Sequence, residues 1–215
     1  MASEKLRQHV NKVIDLTENE MTEFLSLFTE EKVSKKHFLI QPGDVVNSEF
    51  YVLKGCLKAY YLDSHGEKHI IQFAIEDWWI SDFEAFFNNE PAKLYVEAIE
   101  DSVVLKLDKA ILETLYIRIP KFERFFRIKT AGAFVSLRKR VLSTLEKSAT
   151  ERYIDFCKSY PRIESRVANY HIANYLGIKP ESLSRIRREL QEKTKFLTRL
   201  NRLCIFLTAK PNIGQ

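Results

Sequence analysis

The sequence predicts an α+β protein in which a β domain and a helical domain are joined by one long helix. Short β-rich runs fill the stretch between Lys32 and Leu107, and apolar residues recur at a helical period from Pro120 to Lys147. Two further helices flank Gly177. With 215 residues, 45% of them hydrophobic, the chain can bury a core and is not a disordered polymer. The expected division is a β domain over 1–117, a long helix over 118–147 and a helical domain over 148–215.

Two short helices are expected before the β region. Apolar residues follow at spacings of three and four, and Thr17 stands three positions before Glu20, the pattern of a capping box. The β region then has turn signals that contain Gly43, Gly55 and Gly66, at spacings of 12 and 11 residues. These spacings are typical of successive strands in a sandwich or barrel, and each glycine is expected to adopt a positive φ angle.

Charge divides the chain into two unlike parts. Residues 1–117 hold 12 Lys and Arg against 21 Asp and Glu, a net of −9, whereas residues 118–215 hold 22 against 8, a net of +14. The basic part suits a polyanion, and nucleic acid is a better candidate than anionic lipid. No apolar run approaches the ~18 residues that span a bilayer, and the N-terminus lacks a secretion signal. We therefore expect a cytoplasmic protein without membrane contact.

Neither the cysteines nor the histidines form a recognisable site. Cys56, Cys157 and Cys204 lie far apart and are odd in number, so neither disulfides nor a C-x-x-C metal site is expected. His65 and His69 flank a hairpin but lack the third ligand that a cupin-like metal enzyme needs. The motifs G-x-S-x-G, G-x-G-x-x-G and the P-loop are absent from the sequence, so no catalytic activity is expected.

The predicted long helix carries an apolar stripe near the 3.5 to 3.6 period. A helix of about 25 residues spans nearly 40 Å at ~1.5 Å per residue. Such a stripe needs a partner, and we favour the same helix of a second subunit, which makes a homodimer. Burial within one subunit is the alternative. The stripe consists of Phe122, Phe125, Phe126, Ala133, Phe134, Leu137, Val141 and Leu145.

The most specific motif lies between Arg166 and Leu190. Its first helix has an apolar face that ends at Gly177, and Pro180 suits the first turn of the second helix. Leu183 and Ile186 form the face of the second helix that must pack against the first. This is the helix-turn-helix arrangement, whose second helix enters the major groove of double-stranded DNA.

The polar face of the second helix supplies the candidate DNA contacts. Arg185 can donate two hydrogen bonds to guanine, Glu181 can accept one from cytosine, and the two share a face at i and i+4. Lys193 and Lys195 join the helix arginines as candidates to neutralise phosphates. A solvated basic helix with an ordinary ion pair is the alternative. The candidate DNA-binding residues are Pro180, Glu181, Ser182, Ser184, Arg185, Arg187 and Arg188.

Two stretches resemble the superfamily of bacterial transcription factors that includes the cyclic-AMP receptor protein and the fumarate-nitrate regulator (Crp/Fnr). One is PGDVVNSEFYVLKGCLKAYYLDSHGEKHIIQF, from Pro42 to Phe73, and the other is the helix-turn-helix, where Glu181, Ser184 and Arg185 match the pattern E-x-x-S-R. The resemblance covers residues from about 20 to 195. It implies a β-roll, which is a cyclic-nucleotide-binding-like jelly roll, as the sensor of a homodimer that binds a palindromic operator.

The same resemblance bears on which partners the protein binds. The recognition pattern is similar to that of the fumarate-nitrate regulator, which implies TTGAT half-sites, although Pro180 replaces a polar contact and leaves TGTGA open. RNA polymerase is a candidate protein partner. The family usually adds a β wing after the second helix, and LCIFLT (203–208) is a candidate strand for it. Because no Gly-containing hairpin follows, the wing is expected to be reduced or absent.

The resemblance also implies an effector pocket in the β-roll, where this sequence departs from the cyclic-AMP site. Aligning WISDF with the family's F-I-G-E-L puts Ser81 and Asp82 at the Gly-Glu positions, while Ala92 and Lys93 fall where Arg-Ser should be. A cyclic phosphate would lack its bidentate arginine, so standard binding of cyclic AMP is not expected, and an unknown small-molecule effector stays open. The candidate pocket residues are Trp79, Ser81, Asp82, Ala92 and Lys93.

Two alternatives remain for parts of this interpretation. The aromatic residues between Asp77 and Asn89 either line an apolar effector pocket or fill the core, and core packing is the preferred interpretation. For the protein as a whole, the other functions are a small-molecule or cyclic-nucleotide-binding module that acts through a protein partner and a cupin-like metal enzyme.

Overall fold

The computed structural model describes the backbone of residues 2–208 and the side chains of residues 4–193 and 195. The helices are α1 (Ala2–Asn11), α2 (Glu18–Ser26), α3 (Phe83–Asn88), α4 (Lys109–Arg118), α5 (Lys121–Glu146), α6 (Ala149–Ser159), α7 (Pro161–Glu164), α8 (Asn169–Leu176) and α9 (Pro180–Thr208). The strands are β1 (Thr29–Val33), β2 (Phe38–Ile40), β3 (Ser48–Lys54), β4 (Leu57–Leu62), β5 (Lys68–Ala74), β6 (Trp79–Ile80), β7 (Tyr95–Ala98) and β8 (Ser102–Asp108).

The strands form two antiparallel sheets within the described residues. Their orders are β1-β8-β3-β6 and β2-β7-β4-β5, so that strands distant in sequence are neighbours, as in a jelly roll. Gly43, Gly55 and Gly66 adopt φ angles of 93°, 110° and 82°. At Gly55 the space is also needed, because a Cβ atom would lie 2.1 Å from Ser102 Oγ. The predicted α+β class with an N-terminal β-roll is confirmed.

The first two helices cover one side of the β-roll. Thr17 and Glu20 form the predicted capping box: Glu20 N donates to Thr17 Oγ1 at 3.3 Å, and Thr17 N donates to the Glu20 carboxylate at 2.7 Å. Phe24 of α2 stacks on Phe122 at the start of α5, with ring centroids 4.2 Å apart. The N-terminal helices therefore share one apolar core with the sheets and with the first turns of α5.

Helix α5 emerges from this core along its length. Phe122 and Phe125 are fully buried, whereas Phe134 is 63% exposed and Leu145 is 77% exposed. The far part of the predicted apolar stripe thus faces solvent in the single chain. The helix covers most of the predicted 118–147 segment and ends where Ser148 caps α6, again with a capping box to Glu151.

The helical domain contains the predicted pair of helices around Gly177. Helix α8 ends at Gly177, which has φ 66° and ψ 39°, and Pro180 is the first residue of α9. The suggestion of a wing strand at 203–208 is wrong, because α9 continues through Thr208. Six apolar and β-branched residues in a row do not by themselves distinguish a strand from the end of a helix.

A second apolar cluster joins the β-roll to the helical domain. Tyr60, Ile70 and Phe73 of the sheet containing β4 and β5 share it with Phe156 of α6 and Ile172 of α8. Helix α8 therefore packs with one face on the β-roll and with another on α9.

Candidate DNA-binding site and effector pocket

The second helix of the motif presents opposite faces to the protein and to solvent. Leu183 is fully buried and Ile186 nearly so, in the cluster that contains Ile172, Ala173 and Leu176 of α8. Because these contacts hold the apolar face against α8, the first turns of α9 leave their polar side chains outward. The exposed candidates are Pro180, Glu181, Ser184, Arg185 and Arg188, and Ser182 is half-buried.

Local contacts orient two of these exposed side chains. Ser184 Oγ donates to the Pro180 carbonyl at 3.0 Å. Arg185 Nε lies 3.9 Å from Glu189 Oε1. Glu181 and Arg185 thus share a face of α9 as expected, but among the ion pairs of the described side chains Arg185 uses Glu189, one turn after it. Glu181 stays at the N-terminal end of the helix, where a carboxylate is favoured by the helix dipole.

Arg187 differs from the other candidates because its guanidinium lies among protein groups. Nη2 donates to Glu164 Oε1 at 2.8 Å and Nε donates to Tyr153 Oη at 2.8 Å. Nη1 also donates to Asn169 Oδ1. These contacts tie α9 to α6, α7 and α8. They also border a surface cavity of about 460 Å³ lined by Tyr153, Glu164, Arg187, Leu190, Gln191 and Lys195.

The structure brings the buried effector candidates together, but their polar groups are used within the protein. Asp82 is 2% exposed, and its carboxylate accepts hydrogen bonds from Lys93 N at 2.8 Å, Leu94 N at 2.9 Å and Ala85 N at 3.3 Å. Ser81 Oγ donates to the Ser48 carbonyl at 2.9 Å. Ala92, also buried, leaves no cation where the family has arginine.

Lys93 and the aromatic residues point elsewhere. The Lys93 ammonium is exposed and lies 2.7 Å from Glu84 and 3.4 Å from Glu90, and these carboxylates raise its pKa. Trp79 packs against the rings of Tyr51 and Phe126, with centroids 5.3 and 5.4 Å away. Thus Trp79 packs, partly buried, against the main apolar core.

A group of charged residues at the domain boundary was missed by the sequence reasoning. Arg166, which precedes α8, donates to both oxygens of Glu76 at 2.8 and 3.2 Å and also to Glu100. Arg162 of α7 contacts the same Glu76. Burial alone would raise the pKa of Glu76, but hydrogen bonds from Arg166 and from Gly55 N lower it to about 2. No local pattern in the sequence marks this group, because its members are up to 90 positions apart.

Two further polar contacts cross the same boundary. Arg140 of α5 donates to the carbonyls of Ile71 at 2.6 Å and Tyr175 at 2.9 Å. Lys58 Nζ lies 3.1 Å from Glu97 Oε2 and 3.5 Å from His171 Nε2. Desolvation, together with the positive charge of Lys58, lowers the pKa of His171 to about 4.

Three further features of the described residues concern metal binding, thiols and membrane spans. Among these residues no three His, Cys, Asp or Glu side chains are grouped closely enough to hold a metal ion. Cys56 and Cys157 are free thiols, and the side chain of Cys204 lies outside the described residues. None of the described helices is long and apolar enough to cross a membrane.

Comparison with known proteins gives the same fold. Residues 30–118 match the family model described as cyclic nucleotide-binding domain. The chain is 24% identical to the regulatory protein HlyX of Actinobacillus pleuropneumoniae, over 82% of this chain and 78% of that protein. It superposes on FixK2 from Bradyrhizobium japonicum with a TM-score of 0.67 and 23% identity, covering 78% and 86% of the two chains. A crystal structure of a putative regulator of the crp/fnr family from Eubacterium rectale gives a TM-score of 0.64 at 17% identity, covering 83% and 85%.

Proposed function

We propose that this chain is a DNA-binding transcription regulator of the Crp/Fnr superfamily and that it acts as a homodimer on a two-fold operator. The observation that carries the proposal is the two-faced α9: Leu183 and Ile186 are buried, while Glu181, Ser184 and Arg185 are exposed on its first turns. A helix held in this way can enter a major groove without rearranging the domain. We also propose RNA polymerase as a protein partner and the cytoplasm as the compartment, and the support for both is the resemblance to the family.

We assign recognition of the DNA base sequence to the exposed start of α9. Arg185 has the fork of donors that matches guanine O6 and N7, and Glu181 has the acceptor that matches the cytosine amine. Ser184 is short, and its hydroxyl is turned back to the Pro180 carbonyl, which allows close approach of the helix to the bases. Arg188, Lys193 and Lys195 are exposed along the same helix and are assigned to phosphates.

The exposed part of α5 is assigned to the dimer seam. Its apolar side chains stand at the helical spacing of a seam, and a monomer would leave them in water. A homodimer joined through α5 carries two copies of α9 related by a two-fold axis. An operator for such a dimer has two half-sites about 34 Å apart. The exposed apolar residues are Ile128, Phe134, Val135, Leu137, Val141, Leu142 and Leu145.

For the β-roll we propose that the cyclic-AMP position holds no cyclic phosphate. The buried Asp82 carboxylate occupies the backbone N–H groups of Lys93 and Leu94. A phosphate there would meet a negative charge instead of an arginine. An effector, if the protein uses one, would then act by a different chemistry or in a different place. A thermal-shift titration with cyclic AMP is expected to leave the melting temperature unchanged, and a saturable rise would overturn this part of the proposal.

The main experiment is selection of bound duplexes from a random pool, followed by gel-shift titration of the selected sequence at several salt concentrations. We expect inverted half-sites, with an affinity that falls steeply as salt rises. Absent or salt-independent binding to duplex DNA would contradict the proposal and favour a module that acts through a protein partner.

A further inference from the structure

We propose that Arg166 is a positioning residue that holds the helix-turn-helix domain on the β-roll, so that α9 is presented to the operator in a fixed place. The inference rests on the proposed function and adds a residue outside the DNA-contacting helix. Its basis is the set of contacts between Arg166 and the two carboxylates of the β-roll, Glu76 and Glu100.

The geometry of Arg166 suits a fixed connection between two bodies. Its guanidinium meets Glu76 in a two-pronged contact and reaches Glu100 with one of the same nitrogens. A fork-to-carboxylate contact fixes direction as well as distance, which a single ammonium does not. Glu76 is itself held by Gly55 N at 2.9 Å in the turn between β3 and β4. The connection therefore ends on turns of the β-roll that are hydrogen-bonded to each other.

The apolar contacts beside Arg166 place it at the edge of an extended interface. Phe73 of β5 packs against Tyr175 of α8 with ring centroids 5.2 Å apart, and Phe156 of α6 lies 5.4 Å from the same ring. Val167, next to Arg166 in sequence, is buried in the same cluster. Apolar packing supplies attraction between the domains without direction, and the arginine contacts select one orientation.

Docking buries faces of the domain that do not read DNA. Ile172 and Ala173 of α8 are covered, whereas Arg185 and Arg188 at the start of α9 stay exposed. The contact therefore does not mask the recognition helix. This favours a positioning role for Arg166 over an inhibitory one.

Fixed placement matters because the operator has two half-sites at one spacing. Apart from its interface with the β-roll, the helical domain is joined to α5 by the chain at Lys147 and Ser148, where the backbone is extended, and by the hydrogen bond from Arg140 to the Tyr175 carbonyl. If the domains could swing about that joint, then after one helical domain of the dimer had bound its half-site, the other would meet the second half-site at a lower effective concentration. Binding to a single half-site does not depend on that placement.

The test compares the full-length wild type with Arg166→Gln on two duplexes, one with both half-sites of the selected operator and one with a single half-site. We expect Arg166→Gln to weaken binding to the complete operator about tenfold. Affinity for the single half-site, base preference and the salt slope should stay as in the wild type. Arg118→Gln is the matched control, because it removes an arginine–glutamate pair away from the boundary, in which exposed Arg118 lies 3.0 Å from half-buried Glu23.

The outcomes separate the inference from the proposed function. If the wild type prefers no operator, the proposed function fails. If the wild type binds the operator and Arg166→Gln binds it equally well, the inference alone fails; equal losses on both duplexes with a lower salt slope would make Arg166 a phosphate contact and overturn it too. Circular dichroism checks folding. Should Arg166→Gln not fold, Arg166→Lys carries the test, with an expected loss of about threefold, and unchanged operator affinity overturns the inference.

Discussion

Arg187 Nη2 lies 2.8 Å from Glu164 Oε1, so an arginine of the recognition helix is anchored to α7 beneath it. The same guanidinium lies over the Tyr153 ring, 5.4 Å from its centroid, and also reaches the Tyr153 hydroxyl. Its neighbour Arg188 is exposed. Adjacent arginines on one helix thus have different surroundings: one connects helices within the domain and the other is free to meet a phosphate.

Replacing Arg187 is expected to affect stability first. Arg187→Gln removes hydrogen bonds to Glu164 and Tyr153 in a partly buried site, and should lower the free energy of unfolding by about 1 to 3 kcal/mol. Urea denaturation measures this. Arg188→Gln is the control and should change stability by less than about 0.5 kcal/mol. A stable Arg187→Gln with a reduced salt slope for DNA would show instead that Arg187 acts on phosphate.

Replacing Arg185 is expected to affect which bases are read. Arg185→Ala should weaken binding to the selected half-site by about 1 to 3 kcal/mol and flatten base preference, because it removes the proposed bidentate contact to guanine. Lys193→Ala should weaken all sequences alike and lower the salt slope by about one. Gel-shift titrations over a randomised half-site distinguish the two. Equal selectivity in wild type and Arg185→Ala would contradict the assignment.

Local signals in the sequence predicted much of this fold, and long-range contacts account for what was missed. The capping box at Thr17, the left-handed turn at Gly177 and the start of α9 at Pro180 each depend on residues within four positions of one another. Arg166 finds Glu76 across 90 positions, and that pairing depends on how two domains pack. Arg187 shows the same limit, because its place in a basic helix is visible in the sequence and its burial against Tyr153 is not.

Burial of Glu49 should make the protein less stable as pH rises. Burial raises the pKa of Glu49 to about 8, and its Oε1 has no hydrogen-bond partner. The folded state therefore keeps a proton that the unfolded chain releases near pH 4.5, so stability declines from about pH 4.5 up to pH 8. By pH 7 the loss is about 3 kcal/mol at ~1.4 kcal/mol per unit. Glu49→Gln should remove this decline in unfolding experiments.

The control for Glu49 is Glu30→Gln, which changes an exposed carboxylate on β1. That variant should keep the wild-type dependence of stability on pH between 4.5 and 8. If Glu49→Gln and the wild type lose stability in parallel across this range, Glu49 is already ionised in the folded protein and the prediction is wrong.

His171, at the domain boundary, should make the protein less stable as pH falls below neutrality. Its pKa is lowered from 6.5 to about 4, so the unfolded chain takes up a proton that the folded state refuses. Stability is then complete above about pH 6.5 and declines by up to about 3 kcal/mol as pH falls to 4. The pKa of His9 is lowered as well, so His9 also contributes to the loss of stability in acid. The quantity to compare is therefore the difference in free energy of unfolding between His171→Gln and the wild type. A difference that does not change between pH 6.5 and 4 would contradict this account.

The exposed stripe of α5 predicts how the proposed homodimer would be disrupted. Leu137 is 51% exposed in the single chain and stands three and four positions from Phe134 and Val141. Leu137→Glu would place a carboxylate in the seam, where burial is strongly unfavourable, so sedimentation should show monomers at concentrations where the wild type is a dimer. Ser136→Glu, exposed on the face of α5 away from these apolar residues, should stay dimeric. A Leu137→Glu dimer with full operator affinity would mean that another surface joins the subunits, because two half-sites are held only by two linked recognition helices.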